Sequence, residues 1–587
     1  MGVRFPSTAT RIARENAASG RRAGGGERLG SSSRQQGWVR RRLGASADAF
    51  SSTTGNPSLL RAQLAFAAAW AAEAAFTVAI AVVAFRDGGA AAVGLVAFAR
   101  IAPAALIAPV GATFADRFAR DRVLIWSSLV RSGATGLAAA LLAAGGPKVA
   151  VYALAVIATA AFRLFRPAHS ALLPGLCNTP IELSNANIVR GVLDSLSTLV
   201  GPLAAAVLLA VSSPAVVFAT SAALSLAAAT LLLGLSYERP PRKRPERLRR
   251  IAYETVEGFA ALTRYRAAGL LIGLALVQAL TQGFLTVFVV VLALDLLDLG
   301  DSGVGLLTAA LGAGAVASSL TASMFVSGRR LAVLEGLGVA LWGLPLTLSG
   351  AIAEEPVVFG LMFLIGVGNA LVDIGLHTLP ARLVPDELLA RVFGAKASLT
   401  ALAIALGAFV TPFAIHALGI RGALVALGLI GPTAAVLAWS RLRRIDAAIA
   451  HRDDEIAVLD AVPMFEPLPI PAIDELALHL DRVEFAAGED VVVQGEHGDR
   501  FYVIDHGLAD VIGDGRLIDI LEKGDGFGEI ALLNDTPRTA TVRARTPLRV
   551  YTLDRRRFLS AVTDYESSGR EAHALALDRL SVFNPAH

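Results

Sequence analysis

From about residue 60 to residue 440 the chain is a succession of apolar runs, each near twenty residues long. That is the length of helix needed to cross a hydrocarbon core ~30 Å thick. Backbone groups find no water in lipid, so runs of this kind pair their amides internally and pack as a helical bundle. They lie at 62–85, 92–114, 123–144, 149–168, 188–211, 214–236, 267–294, 302–326, 331–352, 356–380, 393–416 and 420–440, which reads as about twelve transmembrane helices. Composition agrees, because only 17% of residues are charged and mean hydropathy is +0.58, whereas soluble domains carry about 25% charge. Ala, Gly and Leu dominate the runs, and clusters such as Gly312 to Ser319 let helix backbones approach closely.

The connections between runs set the orientation. Those at 116–122, 163–166, 242–250, 329–330, 382–391 and 441–444 are rich in Arg, and they alternate with short connections at 145–147, 212–214, 295–301 and 354–356 that carry little positive charge. Basic loops stay cytoplasmic, so the reading is a multi-pass protein of the cell membrane with both termini inside. The longest basic loop, 237–266, divides the bundle into halves at about 59–236 and 267–441, the layout of repeat-built secondary transporters. Residues 1–58 are rich in Gly, Ser, Ala and Arg, including Arg21, Arg22 and Arg40 to Arg42. No signal-peptide apolar run occurs there, and the segment reads as a disordered basic tail that touches anionic lipid. A nucleic-acid polymer is not an expected partner. The single cysteine, Cys177, excludes an intrachain disulfide.

Charge at the helix junctions carries the first motif. Gly111-Ala-Thr-Phe-Ala-Asp-Arg-Phe-Ala-Arg-Asp-Arg122 follows the second run and places an acid and several bases together. It resembles the cytoplasmic motif of the major facilitator superfamily. That resemblance implies a conformational gate formed by Asp116, Arg117, Arg120 and Arg122. Ala112 departs from the family's usual Gly, although Gly111 immediately precedes it. The stretch from Phe165 to Pro174, followed by Glu182 and Asn185 to Asn187, is similar to the exporter branch of the same superfamily. Within the runs, Glu73, Arg100 and Asp373 are ionisable residues at membrane depth, with His377 one turn beyond Asp373. Such residues cost roughly 2.5–3.5 kcal/mol on insertion and mark functional positions. Glu73 and Arg100 are placed to pair across the first two helices, and Glu73 and Asp373 are candidate proton carriers or substrate contacts. A structural ion pair accounts for the same pattern. Gln278 and Gln282 share one helix face and line the cavity or bridge helices.

After Arg441 to Arg444 the pattern changes. Residues 442–463 read as a charged helical connector, and 464–587 as a soluble domain of short alternating strands around residues 485, 490–493, 501–505, 510–512, 517–521, 540–544 and 549–553. Turn residues between them imply a small jelly-roll-like β-barrel with flanking helices, the last of which, about 555–580, forms a lid. Its most telling stretch is Gly526-Phe-Gly-Glu-Ile-Ala-Leu-Leu-Asn-Asp-Thr-Pro-Arg-Thr-Ala-Thr541. A glycine turn entering a helix presents backbone N–H groups to an anion, and Arg538 adds a fork that matches two phosphate oxygens. An acid has no place in a simple phosphate site, so Glu529 points to a sugar hydroxyl.

The stretch resembles the phosphate-binding cassette of cyclic-nucleotide-binding domains, the family of catabolite-activator proteins and kinase regulatory subunits, and Gly495 to Ile504 resembles that family's early hairpin. The resemblance implies a cyclic-nucleotide site of Gly528, Glu529, Ile530, Ala531, Arg538 and Thr539. Glu529 takes the ribose 2′-hydroxyl and Arg538 the cyclic phosphate of cyclic AMP, with cyclic GMP as the other candidate at Thr539.

The whole chain therefore reads as a secondary active transporter, an exporter of a small molecule, regulated by cyclic nucleotide and able to pair as a homodimer through its C-terminal domain. A transport-inactive receptor or a scramblase with the same sensor is the alternative. A gated channel would need a selectivity filter, and a DNA-binding regulator would need a helix-turn-helix after the lid; neither pattern occurs. No Walker Gly-rich run, zinc-ligand spacing or nucleophile constellation is present. No enzyme activity, catalytic residue, metal or cofactor is therefore expected.

Overall fold

The computed structural model describes residues 53–117, 119–235, 257–326, 330–563 and 566–583. The basic tail at 1–52 and the stretch 237–256 of the central loop lie outside the described residues. The chain divides into two compact units, one running to Phe325 and resuming over Leu334–Ala438, the other formed by Val326–Val333 and Trp439 onward.

The first unit is helical. In chain order it contains α1 (Pro57–Arg117), α2 (Arg120–Ala143), α3 (Lys148–Leu176), α4 (Pro180–Val211), α5 (Pro214–Leu232), α6 (Arg266–Val291), α7 (Gly300–Val326), α8 (Leu331–Ala351), α9 (Glu355–Leu383) and α10 (Asp386–Gly428), with α11 (Ile430–Asp460) following. Ten helices among the described residues are long and apolar enough to cross a membrane.

A straight helix of 61 residues would be roughly 90 Å long, three times a bilayer core. α1 avoids this by breaking at Gly88 (φ −158°, ψ 31°) and Gly89 (φ 59°, ψ −153°). α10 breaks likewise at Gly419 (φ 71°). Both breaks fall in the gaps between apolar runs that the sequence marks at 86–91 and 417–419.

Close backbone approach holds the bundle together where the sequence supplies glycine. A Cβ on Gly283 would come within 2.2 Å of the Ile404 carbonyl, and one on Gly407 within 2.2 Å of the Leu280 carbonyl, so α6 and α10 touch main chain to main chain. Gly312 and Gly314, singled out in the sequence, meet the backbone of α4 at Thr198 and of α9 at Phe363 in the same way. Lipid offers helices no hydrophobic drive to associate, so dispersion across such contacts is the main source of cohesion.

The second unit carries two antiparallel four-stranded sheets. The strands are β1 (Asp481–Phe485), β2 (Asp490–Val492), β3 (Arg500–His506), β4 (Ala509–Gly513), β5 (Arg516–Leu521), β6 (Gly526–Phe527), β7 (Thr541–Ala544) and β8 (Leu548–Asp554). Their order is β1-β8-β3-β6 in one sheet and β2-β7-β4-β5 in the other. Helices α12 (Ile470–Ala477), α13 (Glu529–Asn534), α14 (Arg555–Thr563) and α15 (Glu566–Phe583) flank them.

Side chains alternate across a strand, and β3 uses both faces. Phe501 and Val503 join a helical core with Phe465 and Phe558, while Tyr502 and Ile504 enter the space between the sheets with Phe527 and Val550. Phe501 stacks on Phe558 at 4.7 Å on one side, and Tyr502 stacks on Phe527 at 4.9 Å on the other.

Candidate functional site

The site in the second unit begins with a glycine. Gly528 adopts φ +95° and ends β6 so that α13 can start at Glu529. A side chain there would be strained by the dihedral angle, and its Cβ would also fall 2.5 Å from Arg538 Nη1. Gly498 is equally confined, with a built Cβ 3.0 Å from Arg538 Cζ. These two absent side chains make room for the guanidinium.

Arg538 is buried, at 5% exposure. It donates through Nη1 to the Gly528 carbonyl at 3.0 Å and through Nη2 to the Arg500 carbonyl at 2.7 Å. Its carbon lies 5.7 Å from the Tyr502 ring centroid. It forms no ion pair within 4 Å among the described residues, and Asp499, Glu529 and Glu496 act on it only at longer range. Burial lowers its pKa from the ordinary arginine value, partly offset by Tyr502 and these acids. An arginine starts so high that it remains a cation. Burial likewise pushes the Tyr502 phenol up, so it stays neutral beside Arg538.

Glu529 is 1% exposed. Its Oε1 accepts from Arg579 Nη1 at 2.7 Å, and the same nitrogen donates to the Gly526 carbonyl at 2.7 Å. Its Oε2 has no hydrogen-bond partner among the described residues. Gly528, Glu529, Ile530, Ala531, Arg538 and Thr539, the six positions marked in the sequence, all line one cavity, and Arg579 of α15 closes it. Sequence reading places a lid helix here but misses Arg579, whose partner lies 50 residues earlier with no spacing rule to connect them.

In the first unit Glu73 is the centre of a polar cluster. Arg100 Nη2 reaches its Oε1 at 3.2 Å, and Arg131 Nη1 binds its Oε2. Arg100 also donates to Thr159 Oγ1 at 2.9 Å, and Arg131 to Ser225 Oγ at 3.1 Å. One carboxylate thus ties together α1, α2, α3 and α5. The expected Glu73–Arg100 pair is present; Arg131, inside the apolar run 123–144, is a partner the sequence reading overlooks.

Asp373 is exposed and accepts from Asn369 Nδ2 at 3.0 Å, while the His377 ring meets the Asp373 backbone carbonyl rather than its carboxylate. Gln278 is buried and Gln282 exposed, so the two amides do not share an environment. Of the gate residues, Arg120 donates to the Ala171 carbonyl and Arg122 is exposed. The side chains of Asp116 and Arg117 lie outside the described residues. No cluster able to hold a metal ion occurs among the described residues.

Comparison with known families decides the first unit. The model of the Major Facilitator Superfamily matches residues 63–407. The chain belongs to the Major Facilitator Superfamily. In this facilitator a second match, to the cyclic nucleotide-binding domain, covers residues 482–565 and includes the lining of the cavity described above except Arg579. It is similar to the cAMP-dependent protein kinase regulatory subunit of Emericella nidulans, 38% identical over 117 residues, 19% of this chain and 28% of the relative. The corresponding subunit of Eremothecium gossypii is 43% identical over 101 residues, 17% and 22% of the two chains. The facilitator therefore spans well under half the length of these curated relatives. Among solved structures, the regulatory domain of Toxoplasma gondii protein kinase A with cAMP is 28% identical, covering 23% of this chain and 52% of that one, with a TM-score of 0.21.

Proposed function

We propose that this facilitator is a secondary active exporter of a small molecule whose conformational balance is set by cyclic AMP bound in its C-terminal domain. The observation that carries the sensor half is the pairing, in one cavity, of a buried Arg538 with no ion-pair partner among the described residues and a buried Glu529 whose Oε2 has no hydrogen-bond partner among them. A buried cation favours an anion beside it, and an open carboxylate oxygen takes a hydroxyl. A cyclic phosphate fused to a ribose presents both. Cyclic AMP is preferred to cyclic GMP because the curated relatives are named as cAMP-dependent subunits.

The breaks at Gly88–Gly89 and Gly419 support counting two of the ten long helices twice, which gives twelve spans. An even count agrees with both termini on the basic, cytoplasmic side. In this reading the transport domain is 59–441, the connector 442–463 and the sensor 464–587, with the two sheets forming a jelly-roll-like barrel. Two such barrels are the natural contact of a homodimer. Asp116, Arg117, Arg120 and Arg122 act as the inward gate. Ligand shifts the open states only by its differential affinity for them.

Calorimetry of the full-length protein with cyclic AMP and cyclic GMP tests the sensor. Efflux from vesicles with and without nucleotide, across a panel of small amphipathic substrates, tests the coupling. Saturable binding with an unchanged efflux rate would refute regulation, and no efflux of any substrate would favour a receptor.

A further inference from the structure

Arg330 and Arg443 come from two different basic connections of the sequence, and the fold brings them to one cavity. Arg330, immediately before α8, and Arg443, within α11, line a space of about 500 Å³ together with Val333, Trp439 and Asp446. All five residues belong to the second compact unit. Pockets that hold small organic ligands measure about 300–1,000 Å³, so the space is large enough for a polar headgroup.

The one acid in the lining is already committed. Asp446 is 6% exposed, and its Oδ1 accepts from the Ala332 amide at 2.8 Å while its Oδ2 accepts from the Val333 amide at 3.0 Å. These amides are among the first N–H groups of α8 and carry that helix's positive end. The carboxylate's charge is therefore offset where it stands, and the start of α8 is tied to α11. The guanidiniums have no such partner. Both arginines are exposed, and neither is in an ion pair with a described residue. Two planar forks on one cavity match the oxygens of a phosphate.

The position on α11 says which phosphate. Just before Trp439 the helix turns apolar side chains outward, with Val436 and Leu437 at 73% and 75% exposure. Just after it come the exposed Arg441, Arg443 and Arg444. In a multi-pass membrane protein outward apolar side chains meet acyl chains, and Trp settles at headgroup level. Trp439, 38% exposed, stands at that boundary. Basic pockets between transmembrane helices at this depth hold the heads of anionic lipids.

We infer that this cavity is a binding site for an anionic phospholipid, its phosphodiester held by Arg330 and Arg443 and its acyl chains laid along Val436 and Leu437. The inference requires a membrane protein, but neither export nor nucleotide binding.

The full-length protein is reconstituted in nanodiscs of equal phosphatidylglycerol and phosphatidylcholine, released into detergent, and its retained lipid counted by native mass spectrometry. The wild type should keep phosphatidylglycerol over phosphatidylcholine. Arg330→Gln/Arg443→Gln should weaken that retention about fivefold for each charge removed. Arg441→Gln/Arg444→Gln, an equal loss of charge on exposed residues outside the lining, should leave it intact. Equal retention of the two lipids, or equal loss in the two double variants, would overturn the proposal, the latter reducing it to diffuse surface charge.

Two further readouts use the unaltered arginines. Phosphatidylglycerol should raise the melting temperature of the wild type while glycerophosphate does not; an equal rise would assign the cavity to a free phosphate and overturn the lipid. Phosphatidylglycerol brominated on its acyl chains should quench the Trp439 fluorescence, obtained by difference from Trp439→Phe, more than brominated phosphatidylcholine does. Equal quenching by the two lipids also overturns it.

Discussion

Replacing Arg538 separates the two tasks its guanidinium performs. Its guanidinium holds the Gly528 and Arg500 carbonyls at 3.0 and 2.7 Å, so its ends pin the turn before α13 to the start of β3. Hydrogen bonds from a charged donor contribute about 1.5–3 kcal/mol each. Arg538→Ala therefore removes the pin and, in the proposed complex, the phosphate contact as well. The phosphate contact alone corresponds to about a ten- to hundredfold loss of affinity.

Arg538→Lys is the sharper perturbation, because it keeps the charge and loses the fork that can serve carbonyls and phosphate at once. A single ammonium cannot span the two carbonyls and an anion. Affinity for cyclic AMP should then fall about tenfold or more, with the charge unchanged. Titration calorimetry on the full-length protein, with a melting curve for each variant in the absence of nucleotide, resolves the two contributions. An Arg538→Lys protein that binds within twofold of wild type would refute the assignment of the fork to phosphate.

Four further outcomes follow from the same geometry. Gly528→Ala should destabilise the second unit, since both the dihedral angle and the Arg538 contact reject a Cβ; an unchanged melting temperature would contradict this. Arg579→Ala removes the bond to Glu529, so amide exchange in α15 should speed up, by about ten- to hundredfold for one charged hydrogen bond. Arg131→Ala leaves Glu73 with Arg100 as its one remaining ion-pair partner among the described residues and should cost about 3–5 kcal/mol, the usual penalty for breaking a buried pair; normal yield and heat stability in detergent would count against it.

The last outcome concerns acid. The Arg543 hydrogen bond lowers the Asp490 pKa below its ordinary value. A depressed carboxylate stabilises above its unfolded pKa of about 4 and loses that contribution as pH falls through the lower folded value. Asp490→Asn should therefore flatten the acid limb of the urea-midpoint profile below about pH 4 and leave its pH dependence above about pH 5 unaltered.

What the sequence discloses and what it hides divide along chemical lines. The cassette is legible because its parts are local: a glycine, an acid and an arginine fall within sixteen consecutive residues, Gly526 to Thr541, and one turn of backbone brings them together. The membrane runs are legible because lipid imposes a length. Arg579 meets Glu529 across 50 residues, and Arg131 meets Glu73 across 58, through packing that no spacing encodes. Arg131 carried a usable signal, a cation in mid-run like Arg100. Glu335 of α8, fully buried against Gly375 of α9, carried a weaker one, since it lies only four residues after the first residue of its helix and reads as an ordinary helix-end charge.

β3 has a consequence for how the cyclic nucleotide-binding domain comes apart. Phe501 belongs to one core and Tyr502 to the other, and a single peptide bond joins them. Neither core can melt while the other keeps its shape, because the strand that would have to peel away is wanted by both. The domain should consequently give up its structure in one sharp step, and a protease that nicks this strand should leave no resistant fragment of either half behind.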